Sequence, residues 1–198
     1  FLIVTFLADT FYMFLFSGNV FHINRLMVRG DLDFILLKPI PAQFMVSFRY
    51  VKSYAIISLV ILLSILISLI SDYSSSVGLI NIVTFIITFF MGQLLWYSVE
   101  FIISSSCFWF KNFSVAGWLS HEILKFSTRP DSIYTGLLRK VLFSFVPMIF
   151  IASIPTRTLL YGPNMKYIFG QIIVTFLFLI LSRTVWNRGL LRYESASS

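Results

Sequence analysis

Two stretches, Ser53 to Ser71 and Tyr73 to Val99, contain no charged residue, and only Asp72 separates them. No other feature limits the fold so strongly. A soluble domain buries its apolar surface by alternating it with a polar face, and neither stretch offers such a face. Crossing a ~30 Å hydrocarbon core takes about 20 apolar residues as helix, and both stretches meet that length. Lipid offers the backbone no hydrogen-bond partners, so a run of this kind folds as a membrane helix. The segment Asp72 to Gly78 joins the two.

Composition points the same way. Hydrophobic residues make up 58% of the chain and charged residues 12%, against roughly 25% charged in ordinary soluble domains. The expectation is an all-α integral membrane protein with one transmembrane domain over 1–198. Three further segments are weaker spans. Phe1 to Val20 is interrupted only by Asp9, and Val141 to Pro155 is short. Tyr167 to Ser182 reaches full length if it extends through Arg183 to Trp186 with snorkelling side chains. Phe1 already lies inside an apolar run, so a preceding segment with at least one more helix is expected; a cleaved signal peptide is the alternative.

Several chemistries are excluded early. Cys107 is the single cysteine, so no intrachain disulfide or cysteine-based metal site can form, and a packing role is expected for it. His22 and His121 lie far apart with no metal-ligand spacing, and no metal is expected. The net charge of +7 does not point to nucleic acid, because the basic residues form short clusters between apolar runs.

Those clusters orient the chain instead. Arg25, Arg29, Lys38, Arg49 and Lys52 follow the first run, and Arg183, Arg188 and Arg192 close the chain, whereas the 72–78 loop has no Lys or Arg. By the positive-inside rule the first loop and the C-terminus are cytoplasmic and the 72–78 turn is external. Lys111, Lys125, Arg129, Arg139 and Lys140 would by the same count make 111–140 cytoplasmic, with Val141 to Pro155 crossing outward.

The first loop has a readable local design. Gly30 permits a turn, Asp31 is a candidate N-cap, and Asp33 sits in the first helical turn, where the helix dipole favours an anion. Leu32, Ile35 and Leu36 share one face, and Pro39 and Pro41 end the helix. A short amphipathic helix at the membrane surface follows, either an interfacial anchor or a docking element.

Four blocks in order, RGDLDFILLKPIPAQF, the FWF at Phe108 to Phe110, RPDSIYTGLLRKVLFSFVPMIFIASIPTRTLLYG, and WNRGLLRYESASS, resemble permeases of the ABC-2 type. More narrowly, they look like the bacterial branch of uncharacterised or viologen-exporter type. The likeness covers essentially the whole chain, from the second family helix onward.

That resemblance implies an ABC-2, type V exporter-like permease bundle with six helices in the full protein and about five here. The helices would cover about 1–20, 49–71, 79–107, 112–128 and 167–187, with a coupling loop over 21–48 and a tail over 188–198. It implies a place in the cytoplasmic or inner membrane of a cell, a second permease subunit, identical or different, and two copies of a separate ABC ATP-binding subunit. The loop after the second family helix docks on the ATPase, and the matching positions are Arg29, Gly30, Asp31, Leu32, Asp33, Lys38 and Pro39. ATP and Mg would bind the partner, since the chain has no GxxxxGK[ST] motif and needs no cofactor of its own. Beside the charge-based reading of the middle region, which stays open, the family pattern sets a favoured second one: a fifth helix over 112–128 and a re-entrant outer hairpin over 130–162, marked by Pro130, Pro147 and Pro155.

Polar residues at membrane depth are the remaining candidates. An unpaired carboxylate at a helix centre costs about 2.5 to 3.5 kcal/mol on insertion, so Glu100 should face the bundle, as part of the translocation route or as a paired structural acid. Asp9, His121 and Glu122 carry the same alternatives. Ser104, Ser105 and Ser106 fit close helix packing. The 23 Phe residues fit lipid-facing and interhelical packing, or an aromatic cavity for flat cationic compounds. Trp96, Trp109, Trp118, Trp186 and Tyr193 are read as interfacial anchors in part. The tail either ends the last helix in solvent or contacts the ATPase or anionic lipid. Two rival functions stay open: an ion-coupled carrier or channel using Glu100 or Asp9, and a lipid-modifying enzyme, for which His121 and Glu122 form a poor centre.

Overall fold

The longer uncharged run becomes the central helix of the molecule. The computed structural model describes residues 1–20, 22–73, 77–110, 135–137 and 149–193, and every regular element among them is helical. In chain order these are α1 (Leu2–Tyr12), a π-helical turn (Met13–Ser17), α2 (Gly18–Val20), α3 (Ile23–Val28), α4 (Asp31–Leu36), α5 (Ala42–Ser47), α6 (Ala55–Ser71), α7 (Leu79–Ser105) with a 3-10 turn (Ser106–Phe108), α8 (Ile149–Tyr161) and α9 (Met165–Leu190). Three stretches, Leu2–Val28, Leu79–Phe108 and Met165–Leu190, are long and apolar enough to cross a bilayer. At 17 residues, α6 lies at the low end of the spanning range.

Helices α1, α7 and α9 run parallel. Tyr12 stacks on Trp96 with centroids 4.5 Å apart, and Phe16 meets Tyr97 at 5.0 Å. Phe101 and Phe108 both pack on Trp186, at 5.2 and 5.3 Å, and Phe108 reaches Tyr193 at 6.2 Å. An aromatic spine therefore joins the C-terminal halves of three helices. Trp96 and Trp186 are buried in it, so neither is an interfacial anchor. Their indoles find ring partners inside the bundle, and offset or edge contacts of this kind add about 0.5 to 1.5 kcal/mol beyond burial. Trp118 lies outside the described residues.

Helix α8 runs antiparallel to α7 along the half remote from this spine. Pro155 sits inside α8 and has no N–H to give the carbonyl of Ile151. Gly92 of α7 faces that carbonyl: a Cβ there would come 3.0 Å from the Ile151 oxygen and 3.3 Å from that of Phe150. Without a side chain the two backbones close on each other, the small-residue packing typical of membrane helices. The Gln171 amide of α9 completes the joint, donating to the carbonyls of Thr88 at 2.8 Å and Phe150 at 2.9 Å. Gly162, at φ 84°, turns the chain from α8 into α9, whose first turn Asn164 caps by accepting from the Lys166 N–H at 3.1 Å.

The helix expected from position 49 begins only at Ala55. Residues just before it bind sideways instead of along a helix axis. The Tyr50 N–H donates to Asn19 Oδ1 at 2.7 Å, and the Lys52 N–H donates to the Phe14 carbonyl at 3.1 Å. That carbonyl belongs to the π-helical turn, where the i to i−4 ladder is interrupted. The stretch 21–48, expected as a loop around one short helix, contains the three helices α3, α4 and α5.

Candidate functional site

The α3–α5 module closes one end of the bundle. Gly30, at φ 74°, takes the left-handed turn that separates α3 from α4, a conformation open to glycine at little cost. Asp31 is the first helical residue and not the N-cap; Gly30 holds that position with no side-chain capping bond. Asp31 and Asp33 both lie in the first turn of α4, where the dipole favours them.

The faces of α4 differ sharply. Leu32 and Ile35 are buried in the same apolar cluster as Trp96, Tyr97, Phe101 and Trp186. Leu36, expected beside them, is half exposed, and Phe34 and Leu37 stand 69% and 82% exposed on the other side. With Ile40, also exposed, they form an apolar knob beside Lys38 and Pro39. The knob was legible as an i, i+3 pair opposite Leu32 and Ile35, but the buried face absorbed the sequence argument.

Polar contacts tie the module to the helices. The Tyr97 hydroxyl lies 2.7 Å from Ser47 Oγ and accepts from Gln43 Nε2 at 3.3 Å. Gln43 Oε1 in turn accepts from Arg183 Nη1 of α9 at 3.2 Å. Lys52 Nζ donates to Ser17 Oγ at 3.0 Å, and Asn19 Nδ2 donates to the Tyr50 carbonyl at 2.7 Å. Cys107, buried as expected of a packing residue, directs its thiol at Met27 Sδ, 3.2 Å away. At the end of the described chain the Tyr193 hydroxyl faces the Asp33 carboxylate. Burial first, and Asp33 second, push the Tyr193 phenol up to about 12. Tyr193 and α4 therefore lie on the same side of the bundle.

Deeper inside, Glu100 is 1% exposed and accepts a hydrogen bond from the Tyr12 hydroxyl. Asp9 and Lys52 are the charged groups acting on it. Of the four route candidates, the bundle encloses Glu100 and leaves Asp9 exposed on α1, one helical turn before Tyr12. His121 and Glu122 lie outside the described residues. So do Pro130, Pro147 and the expected helix 112–128, whereas Pro155 is part of α8.

Sequence reasoning missed Gln93. It is buried, and among the described residues both its amide atoms lack a hydrogen-bond partner, as does Trp96 Nε1. Gln93, Trp96 and Glu100 recur at i, i+3 and i+7, one face of α7. That spacing was the available signal. A buried amide without partners is costly in lipid, so this face is where a polar solute would find unused hydrogen-bonding groups. Among the described residues no cluster of three or more metal-ligating side chains forms.

Compared with known families, residues 1–197 match the model described as ABC-2 family transporter protein. No curated protein and no solved structure matches the chain.

Proposed function

Because the chain belongs to the ABC-2 family of transporter proteins, and is thus the multi-pass membrane permease of an ABC transporter, we propose that α4 is the element through which an ATP-binding subunit drives it. The family implies association with such subunits. The observation that carries the docking role is the division of α4: Leu32 and Ile35 are buried in the apolar cluster that also holds residues of α7 and α9, while Phe34 and Leu37 project from the surface. A lever needs one face fixed to the load and one free for the driver.

In this reading two ATP-binding subunits carry ATP and Mg, and a second permease, identical or different, completes the route. ATP binding closes the nucleotide-binding pair, α4 passes the motion to α7 and α9, and the route changes access toward export. The α3–α5 module and the tail face the cytoplasm of a cell's inner membrane, as the basic clusters favour. Arg29, Gly30, Lys38 and Pro39 shape the docking surface around Asp31 and Asp33. Glu100 and Asp9, with Gln93, line the route, and His121 and Glu122 are further candidates for it. Helix α8, confined to the half remote from the module, supports an outer re-entrant hairpin over 130–162 that includes Pro130, Pro147 and Pro155.

Co-purification tests the docking role. Phe34→Ser with Leu37→Ser should remove the ATP-binding subunit from the purified assembly, and Asp31→Ala with Asp33→Ala should weaken it. Full retention of a stimulated ATPase by both double variants would overturn the reading. The buried Tyr12 and Glu100 pair favours a second reading, an ion-coupled carrier. Transport that persists in vesicles without any ATP-binding subunit would establish that alternative.

A further inference from the structure

Beside the docking knob, and sharing Arg29 and Asp31 with the docking surface, a cavity of about 280 Å³ opens between α2, α3, the start of α4 and the segment that leads from α5 to α6. At roughly 30 Å³ per liquid water, it is roomy enough for a phosphodiester group with its glycerol. Its wall carries Arg25, Arg29 and Arg49 together with Asn19, His22 and Tyr50. Asp31 is the one carboxylate in the wall, so the guanidiniums outnumber the acids three to one. Among the described residues the three guanidiniums make no ion pair, and Arg49 lies over the Tyr50 ring at 5.2 Å. His22 Nδ1 is buried with no hydrogen-bond partner among those residues. Clustered, unneutralised guanidiniums with a spare ring nitrogen form a cradle for a tetrahedral oxyanion, which arginine binds in bidentate fashion.

The rim says where that anion comes from. Phe44, Phe48, Tyr50, Val51 and Tyr54 are all exposed, and the strip continues into the exposed Ile56 and Ile57 of α6. Aromatic rings beside basic residues at the end of an apolar span mark the headgroup level of a bilayer. A soluble phosphate has no use for that strip; acyl chains do. We propose that the Arg25, Arg29 and Arg49 cavity binds the phosphate of an anionic phospholipid headgroup, with the acyl chains lying along α6.

The test uses the assembled transporter in detergent, with phosphatidylglycerol and phosphatidylcholine of identical acyl chains as probes and native mass spectrometry as readout. Phosphatidylglycerol should be retained at least about tenfold more tightly than phosphatidylcholine. Arg25→Gln with Arg49→Gln should erase that preference, and Arg25→Lys with Arg49→Lys, which keeps charge and fold but loses the bidentate fork, should restore part of it. Equal retention of the two lipids, or an unchanged preference in the Gln pair, overturns the proposal. Inorganic phosphate that binds without lipid, with the same arginine dependence, assigns the cavity to a soluble anion and overturns the lipid source. Loss of the ATP-binding subunit from the Gln pair with lipid preference intact assigns these arginines to a protein contact and equally overturns it. Failure of the docking role leaves these lipid readouts unchanged, so the two ideas fall separately.

Discussion

Helices α6 and α7 come from two neighbouring uncharged runs, yet they occupy opposite positions in the bundle. Along α6 only Ala55 and Leu66 are buried, whereas α7 buries residues in every turn from Phe85 to Ser105 and touches α1, α8 and α9. Hydropathy cannot separate them, because lipid is as apolar as leucine and gives helices no hydrophobic reason to associate. What differs is the content of the runs. The polar side chains of α6 are serines, and Ser64 bonds back to the Val60 carbonyl of its own helix. Those of α7 include Thr88, Gln93 and Ser98, interleaved with Gly92 and Trp96, groups that can pack or bond across helices. Small, aromatic and amide side chains within an uncharged run mark the hub, and a run of aliphatics with serine marks the periphery.

The widest gap should appear between Trp96→Ala and Ile57→Ala. Removing the indole that stacks on Tyr12 leaves a void in the spine and should cost roughly 3 kcal/mol. Ile57 is 69% exposed, and its truncation should stay within about 0.5 kcal/mol. Thermal unfolding in detergent, followed by tryptophan-independent circular dichroism, reads both. Equal losses would break the hub and periphery distinction. A loss for Ile57→Ala that appears only in the assembled transporter would show α6 to be the seat of the second permease.

Next in size is Gly92→Ala, where the added Cβ meets backbone atoms of α8 at 3.0 to 3.3 Å. Backbone cannot rotate aside, so overpacking should cost about 1 to 3 kcal/mol. Gly78→Ala, with open space around its Cβ, is the matched control and should be near neutral. Gln171→Leu should follow at about 1 kcal/mol, since interhelical hydrogen bonds in membranes average well below their value in a dry core.

Much of this was legible and some was not, for reasons that the residues make plain. The two uncharged runs, the turn at Gly30, and the first-turn position of Asp33 came from charge, φ freedom and the helix dipole, all local quantities. The start of α6 did not, because residues before Ala55 follow the side chain of Asn19 and a carbonyl freed in the π-helical turn, partners distant in sequence. The anchoring role expected of Trp96 and Trp186 failed for the same reason: an indole at a run's end reads as interfacial until ring partners on other helices are known. Glu100 was legible as a buried acid, and Tyr12 as its partner was not. The exposed pair Phe34 and Leu37 lay in plain sight at helical spacing, opposite the face chosen as important.

The smallest effect asks how far the hub reaches past the membrane. Tyr193 follows the last span, packs edge-on against Phe108, and faces Asp33. Its phenol is raised from 10.0 in the free state to about 12 in the fold, so the folded protein holds that proton more firmly than the unfolded chain does. Stability that depends on the proton is complete below pH 10 and falls as pH rises from 10 toward 12. Ionisation would set a phenolate against the Asp33 carboxylate, and the tail should then part from α4 before the spine loosens. Difference absorbance of tyrosinate, wild type minus Tyr193→Phe, should show one ring titrating about two pH units above free tyrosine. Asp33→Asn should lower that midpoint while leaving it above the free value, since burial is the larger cause. A Tyr193 titration indistinguishable from that of free tyrosine would mean that the hub stops where α9 leaves the bilayer, and that α4 moves without Tyr193.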